Sequence, residues 1–170
     1  IEYCVVYDNR ALQIYVDTSK DVIIRYNIAY GTRNATYNTR YPGFTAGEGI
    51  VVTVETPEVG YGDGAKVYGN LVADCYRGLV IAHVTNTVIY NNTIIEANNT
   101  GSSTYLLIVV SGLTDHIIKN NIFMQTTGTI AHVPAAGTYA YNLWSKTPES
   151  DAQGTGDVIG SPLLAKTSGW

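Results

Sequence analysis

The chain has 170 residues, 45% of them hydrophobic and 14% charged, with a net charge of −4, which is enough to bury the core of one domain. Its ten Lys and Arg are scattered, so it lacks the basic footprint that a nucleic-acid partner requires. No run approaches the roughly 18 to 20 apolar residues of a membrane span, and the abundance of Tyr, Thr, Asn and Gly suits an extracellular or secreted β protein.

In chain order, IEYCVVYDNRALQIYVDT reads as the end of one repeat, a bend at Tyr7-Asp8-Asn9 and a strand from Leu12 to Val16. DVIIRYN supplies a second strand and IAYG a third, so the unit is three short strands. Residues 31–49, GTRNATYNTRYPGFTAGEG, form a long polar insertion of the kind that carries function or contacts a partner. GIVVTVE then aligns with ALQIYVD at a shift of 38, and PEVGYGDG is a shorter, turn-rich insertion. From Gly64 the rhythm is regular through AKVYGNLVADC, GLVIAHVTNTVIYNNTIIEA, YLLIVVSGLTDHIIKNNIFMQ and TIAHVPAAGTYAYNLW. Residues 145–170 lose the repeat and read as a tail that covers an edge. The expected organisation is one domain over 1–170 that begins in mid-repeat, as a C-terminal fragment of a longer protein would. No window carries capped helical periodicity.

The repeat is marked by an asparagine that closes a β-branched run, at Asn27, Asn70, Asn92, Asn121 and Asn142, with spacings of 43, 22, 29 and 21 residues. Apolar residues keep phase with it, three before (Ile24, Val67, Ile89, Ile118, Tyr139) and two after (Ala29, Val72, Ile94, Phe123, Trp144). Cys4 occupies the same slot 23 residues before Asn27. A fixed period of this length is the mark of a solenoid. At the bend between two strands an asparagine tolerates a left-handed backbone, and its amide both donates and accepts, so stacked repeats should form an asparagine ladder. Cys4 and Cys75 would then lie roughly 14 Å apart at about 4.8 Å per repeat, beyond disulfide reach, and both read as small buried hydrophobes.

Strand alternation assigns candidate functional residues. With Leu12, Ile14 and Val16 inward, Gln13, Tyr15 and Asp17 point out, and a shift of 38 sets Asp17 beside Glu55 and Tyr15 beside Thr53. Two carboxylates about 5 Å apart suit retaining glycoside chemistry or a hard cation such as Ca²⁺. Arg33, Tyr37, Arg40 and Tyr41 of the long insertion would flank this pair as an aromatic and cationic wall. The later positions of the column, Val80, Ala82 and Val109, are apolar, which argues for cover by a loop or a neighbouring chain rather than an open groove. On the second strand Arg25, Tyr68, Tyr90 and Lys119 recur two before the asparagine, and neighbouring tyrosines there would offer sugars a flat face. His83 and His116 fall at inward positions, as satisfied core residues, whereas His132 faces out as an acid/base candidate that nothing pairs with a nucleophile. Arg10 and Arg77 recur beside Asp8 and Asp74, as structural ion pairs. Asn34, Asn91 and Asn98 open glycosylation sequons.

VIYNNTIIEANN, HIIKNNIFMQTTG, YDNRAL and GDVIGSPLL resemble the repeats of the pectate-lyase-like superfamily, which includes polysaccharide lyases, glycoside hydrolases and phage tailspikes. The resemblance implies an all-β, single-stranded, right-handed parallel β-helix with three parallel sheets and a ladder between the second and third. It further implies a polysaccharide or oligosaccharide lying along the first sheet. About six coils are counted here against ten or more in such enzymes, so catalysis by this chain alone, as a lyase or a hydrolase, is the lesser expectation. The alternative is a non-catalytic adhesin or tailspike-like module. Its apolar outer stripes, Val51, Val80 and Val109 on one sheet and Ile23, Val88 and Ile117 on the next, would then meet other chains in a homo-oligomer.

Overall fold

The computed structural model describes residues 1–9, 11–31, 47–55, 62–95, 105–109, 114–126, 128–133, 137–162 and 164. It is an all-β arrangement in which every paired strand is parallel to its neighbour, as the β-branched runs between short bends require. The first sheet contains β2 (Leu12–Asp17), β5 (Glu48–Thr53), β9 (Leu79–Ala82), β13 (Leu107–Val109) and β16 (Ala131–His132). The second contains β3 (Ile23–Arg25), β7 (Lys66–Tyr68), β11 (Val88–Tyr90), β14 (His116–Lys119) and β17 (Gly137–Ala140). The third has β1 (Val5–Tyr7), β4 (Ile28–Tyr30), β8 (Leu71–Ala73), β12 (Thr93–Ile95), β15 (Ile122–Met124), β18 (Leu143–Trp144) and β19 (Val158–Ile159). A short pair, β6 (Gly62–Asp63) with β10 (Val84–Thr85), lies between the first two sheets in sequence. From β2 to β18 the chain visits first, second and third sheets in that order, an arrangement compatible with a parallel β-helix. Among the described residues no helix is long and apolar enough to cross a membrane.

The inward columns are apolar and in register. Ile24, Val67, Ile89, Ile118 and Tyr139 line the second sheet, and Ala29, Val72, Ile94, Phe123 and Trp144 line the third. All belong to one buried cluster, and Phe123 stacks on Trp144 with ring centres 4.3 Å apart. Cys75 is buried in this cluster, which pushes its thiol pKa up to about 12, while Cys4 is exposed rather than buried.

Between the second and third sheets the asparagines stack. Each Oδ1 accepts from the backbone N–H and the Nδ2 of the asparagine before it: Asn70 from Asn27, Asn92 from Asn70, Asn121 from Asn92 and Asn142 from Asn121, all at 2.9–3.1 Å. Each Nδ2 also donates to the carbonyl of the residue three before the preceding rung: Asn70 to Ile24, Asn92 to Val67, Asn121 to Ile89 and Asn142 to Ile118. All five side chains are buried. Cys4 takes the slot foreseen for it, its amide donating to Asn27 Oδ1 at 3.0 Å and its carbonyl accepting from Ile28.

The left-handed residue is not the asparagine but the one before it: Tyr3, Tyr26, Gly69, Asn91, Asn120 and Tyr141 all have φ near +55 to +65°. The bend needs one left-handed residue to turn the chain, and the next must stay extended so that its side chain lies along the stack. Tyrosine in that conformation costs about 1 to 2 kcal/mol, offset in part where Tyr3 stacks on Tyr26 at 5.5 Å.

The tail continues the pattern. Thr155 bridges to Ala140, Gly156 has φ +75°, and Asp157 follows in the ladder slot with β19 paired to β18. Asp157 Oδ1 accepts from Asn142 N at 2.8 Å, and its Oδ2 accepts from Trp144 Nε1 and Gly154 N. A side chain at Gly156 would strike the Tyr141 ring at 2.5 Å.

Replacing Asn92 with Ala strips the acceptor from two buried donors of Asn70 and the donor from Val67 carbonyl, and should cost about 1 to 3 kcal/mol. Asn27→Ala orphans the exposed Cys4 amide, which water can satisfy, and should cost less. Denaturant melts of the two variants check this, and equal losses would contradict the buried stack.

Candidate functional site

The outer face of the first sheet carries one row in lateral register: Tyr15, Val51, Val80, Ile108 and His132. Val51, Val80 and Ile108 are only 5, 7 and 8% exposed and cluster with Leu12 and Tyr105. The middle of this face is therefore covered by the chain's own residues. Two assignments change here. Val109 points into the core and Ile108 takes the outer place, because YLLIVV contains no polar residue to set its phase. Leu12 packs on the outer cluster while Gln13 is buried, exchanging hydrogen bonds with both the N–H and the carbonyl of Asn9.

Strands β2 and β5 pair at a shift of 36, not 38: Leu12 faces Glu48, Tyr15 faces Val51 and Asp17 faces Thr53. A two-residue slip keeps every face unchanged, so alternation could not decide it. Close packing bears on it: a Cβ on Gly47 would sit 2.5 Å from the Asn9 carbonyl oxygen and 2.8 Å from the Ala11 backbone, so glycine is needed where the chain enters β5 beside Ala11, 36 residues earlier.

Asp17 and Glu55 still meet, though not as strand neighbours. Asp17 Oδ1 accepts from the Glu55 N–H at 3.0 Å and from the Thr18 hydroxyl at 2.9 Å. Tyr15 is 36% exposed. Loss of water around its hydroxyl, a hydrogen bond to the Glu55 side chain, and the charges of Asp17 and Glu55 hold its pKa well above the ordinary phenol value. The group thus contains two carboxylates, a phenol and the hydroxyls of Thr18 and Thr53, and can accept several hydrogen bonds at once. Among the described residues no set of three His, Cys, Asp or Glu side chains could hold a metal ion. Arg33, Tyr37, Arg40 and Tyr41, proposed from sequence as the wall of this cleft, lie outside the described residues, as do Arg10, Asn34 and Asn98.

Tyr68 and Tyr90 stack with ring centres 4.6 Å apart and planes 12° from parallel. Rings that close cannot lie side by side on the sheet, so each turns a face to its neighbour and presents an edge to solvent. Arg25 braces the row, with Nη1 2.9 Å from the Tyr68 hydroxyl and Nε 2.5 Å from Glu2. Arg77 pairs with Glu48 on the adjacent strand at 2.8 Å. Asn91 is exposed at the left-handed position before Asn92.

The histidines also separate. His132 has a partner the sequence did not name, Glu149, 3.3 Å from Nδ1, and lies beside the Tyr105 ring. His83 sits half-buried at a left-handed bend. His116 is fully buried but not satisfied: neither ring nitrogen has a hydrogen-bond partner among the described residues. Thr87 Oγ1 and Tyr139 OH are buried without partners as well. Thr87 immediately precedes β11 at Val88, the partner of Ile117, and Tyr139 is on β17 beside β14, so the three lie on or next to adjoining strands.

Comparison of the chain with known protein families, with curated proteins and with solved structures finds no match. What the coordinates define is a class: an all-β protein of parallel sheets bound by an asparagine hydrogen-bond ladder.

Burial lowers the His116 pKa below its ordinary 6.5, with Asp115 opposing the shift. Below pH 6.5 the unfolded chain therefore takes up a proton that the folded chain refuses, and stability falls with pH until the folded-state pKa is passed. A His116→Leu variant should lose less melting temperature than the parent between pH 7 and pH 5. Parallel pH profiles would contradict the assignment.

Proposed function

We propose that this chain is the saccharide-binding portion of an extracellular, right-handed, single-stranded parallel β-helix of about six coils. The handedness follows the rule for parallel crossovers, and the coil count follows the asparagine period. The observation that carries the reading is the Tyr15, Asp17, Thr53 and Glu55 group. It is the polar end of an outer face whose next three positions are apolar and covered. Carboxylates beside an aromatic ring are the few placed polar groups and apolar wall that saccharide sites combine.

Binding is favoured over catalysis. Asp17 Oδ1 is committed to Thr18 and to the Glu55 amide, which leaves the pair fewer free lone pairs for an acid and nucleophile division of labour. The non-catalytic scaffold remains the second reading, favoured by the exposed Ile23 and Ile117 on the second sheet and by Val5 and Tyr7 on edge strand β1.

The test is calorimetric titration of neutral and uronate oligosaccharides, with and without Ca²⁺, against the parent and an Asp17→Asn, Glu55→Gln double variant. About tenfold weaker binding is expected for the double variant, equivalent to roughly one charge-assisted hydrogen bond. Unchanged affinity would sink the site. A native mass of a trimer together with no saccharide binding would favour the scaffold.

A further inference from the structure

The third sheet presents an outer face without charge. Val6, Ala29, Val72, Ile94, Phe123 and Trp144 point into the core, so the residues that flank them on each strand point out. One outward column runs in register across all seven strands from Val5 to Val158, and it is aliphatic except at Thr93. A second runs from Tyr7 to Met124 and holds only tyrosine and apolar residues. Apart from Ala73, every member of the two columns is exposed or half-buried. The other sheets differ: the outer face of the first is covered by Leu12 and Tyr105, and that of the second carries Arg25, Lys66 and Lys119.

Parallel sheets are ordinarily covered on both faces, and a contiguous apolar surface of several hundred Å² marks an interaction site. Seven strands about 4.8 Å apart, five residues broad at about 3.3 Å each with the margins included, make a strip of roughly 34 by 17 Å. Two such strips packed on each other bury about 1,200 Å² in total, the lower bound of a specific interface. A face that offers no charge has nothing with which to select a charged partner, whereas it matches itself. The margins add a complement. Asp8 and Asp74 follow β1 and β8 on one side, and the exposed Tyr3 and Tyr26 stand at the ladder bend on the other. A twofold axis along the stacking direction lays each acidic margin against the partner's tyrosine margin. An axis along the strands would lay acid against acid.

We propose that two copies of this chain associate face to face through their third sheets, about a twofold axis along the stacking direction. The Tyr15 group lies on the first sheet, so saccharide binding there and pairing here succeed or fail independently.

Sedimentation equilibrium of the full chain should give the mass of a dimer at about 100 μM, above the micromolar end of affinity for specific interfaces. Leu71→Lys and Ile122→Lys, each within the face, should give monomers, because either would bury an unpaired charge. Ile117→Lys, on the second sheet, should stay dimeric. Leu71→Thr and Ile122→Thr keep strand propensity and should raise the dissociation constant about tenfold, so the test does not depend on whether the lysine variants fold. Cys4 is exposed and Cys75 buried, so a spin label attaches to Cys4 alone. In the dimer the two labels should lie within about 25 Å, since both mark the level of β1 on sheets about 10 Å apart, whereas an axis along the strands would separate them by more than about 30 Å. A monomer or a trimer at that concentration would overturn the proposal, and a monomer would pass the face to residues 32–46 or 96–104 of the chain or to an unlike partner. Threonine variants that pair as tightly as the parent, dissociation by Ile117→Lys with its fold intact, or the longer label separation would each overturn it as well.

Discussion

The molecule depends on a hydrogen-bond chain that runs in one direction. Every ladder asparagine gives its amide protons to the next and takes protons from the last. Such chains polarise one another in a buried, low-dielectric setting. Aligned amide dipoles leave a donor-rich end, and the structure meets it with Asp157, a side chain that only accepts. At the opposite end Cys4 supplies a backbone donor and no amide. Beyond Asn142 the ladder thus passes to a side chain that only accepts, and at Cys4 a backbone N–H alone serves the Asn27 oxygen.

Fixing that column fixes the others. Because the second and third sheets join at the ladder, their strands cannot slip independently, and each repeat contributes its side chains to the same columns. Apolar columns become the core, and polar exceptions in an otherwise apolar column stand out. Asp17 and Tyr15 are exceptions on an outer face, whereas Thr87, His116 and Tyr139 are exceptions inside. The proposed saccharide chemistry sits at the outer break, where the repeat has departed from what packing alone would select.

The ladder positions were legible because apolar residues keep phase with each asparagine over five repeats, and the Cys4 slot was legible for the same reason. The left-handed residue was misplaced by one, since asparagine's tolerance of that conformation is an intrinsic property, while its position here is dictated by the hydrogen bonds its side chain must make. The β2 to β5 register was off by two because a period-two pattern is blind to such a slip; the close contact that bears on it, Gly47 against the backbone of Asn9 and Ala11, is made through the fold. Asp157 was hidden by a short spacing of 15 residues after Asn142 and by a change of residue type. Glu149 reaches His132 from a segment with no repeat to place it.

The most direct test of the ladder is hydrogen exchange of the side-chain Nδ2 protons. In the stacked arrangement those of Asn70, Asn92, Asn121 and Asn142 are donated to buried oxygens. Their exchange should be slowed to the range of core backbone amides and should be released only by global unfolding. Exchange of the Asn92 and Asn121 side-chain protons as fast as that of an exposed amide would contradict the account.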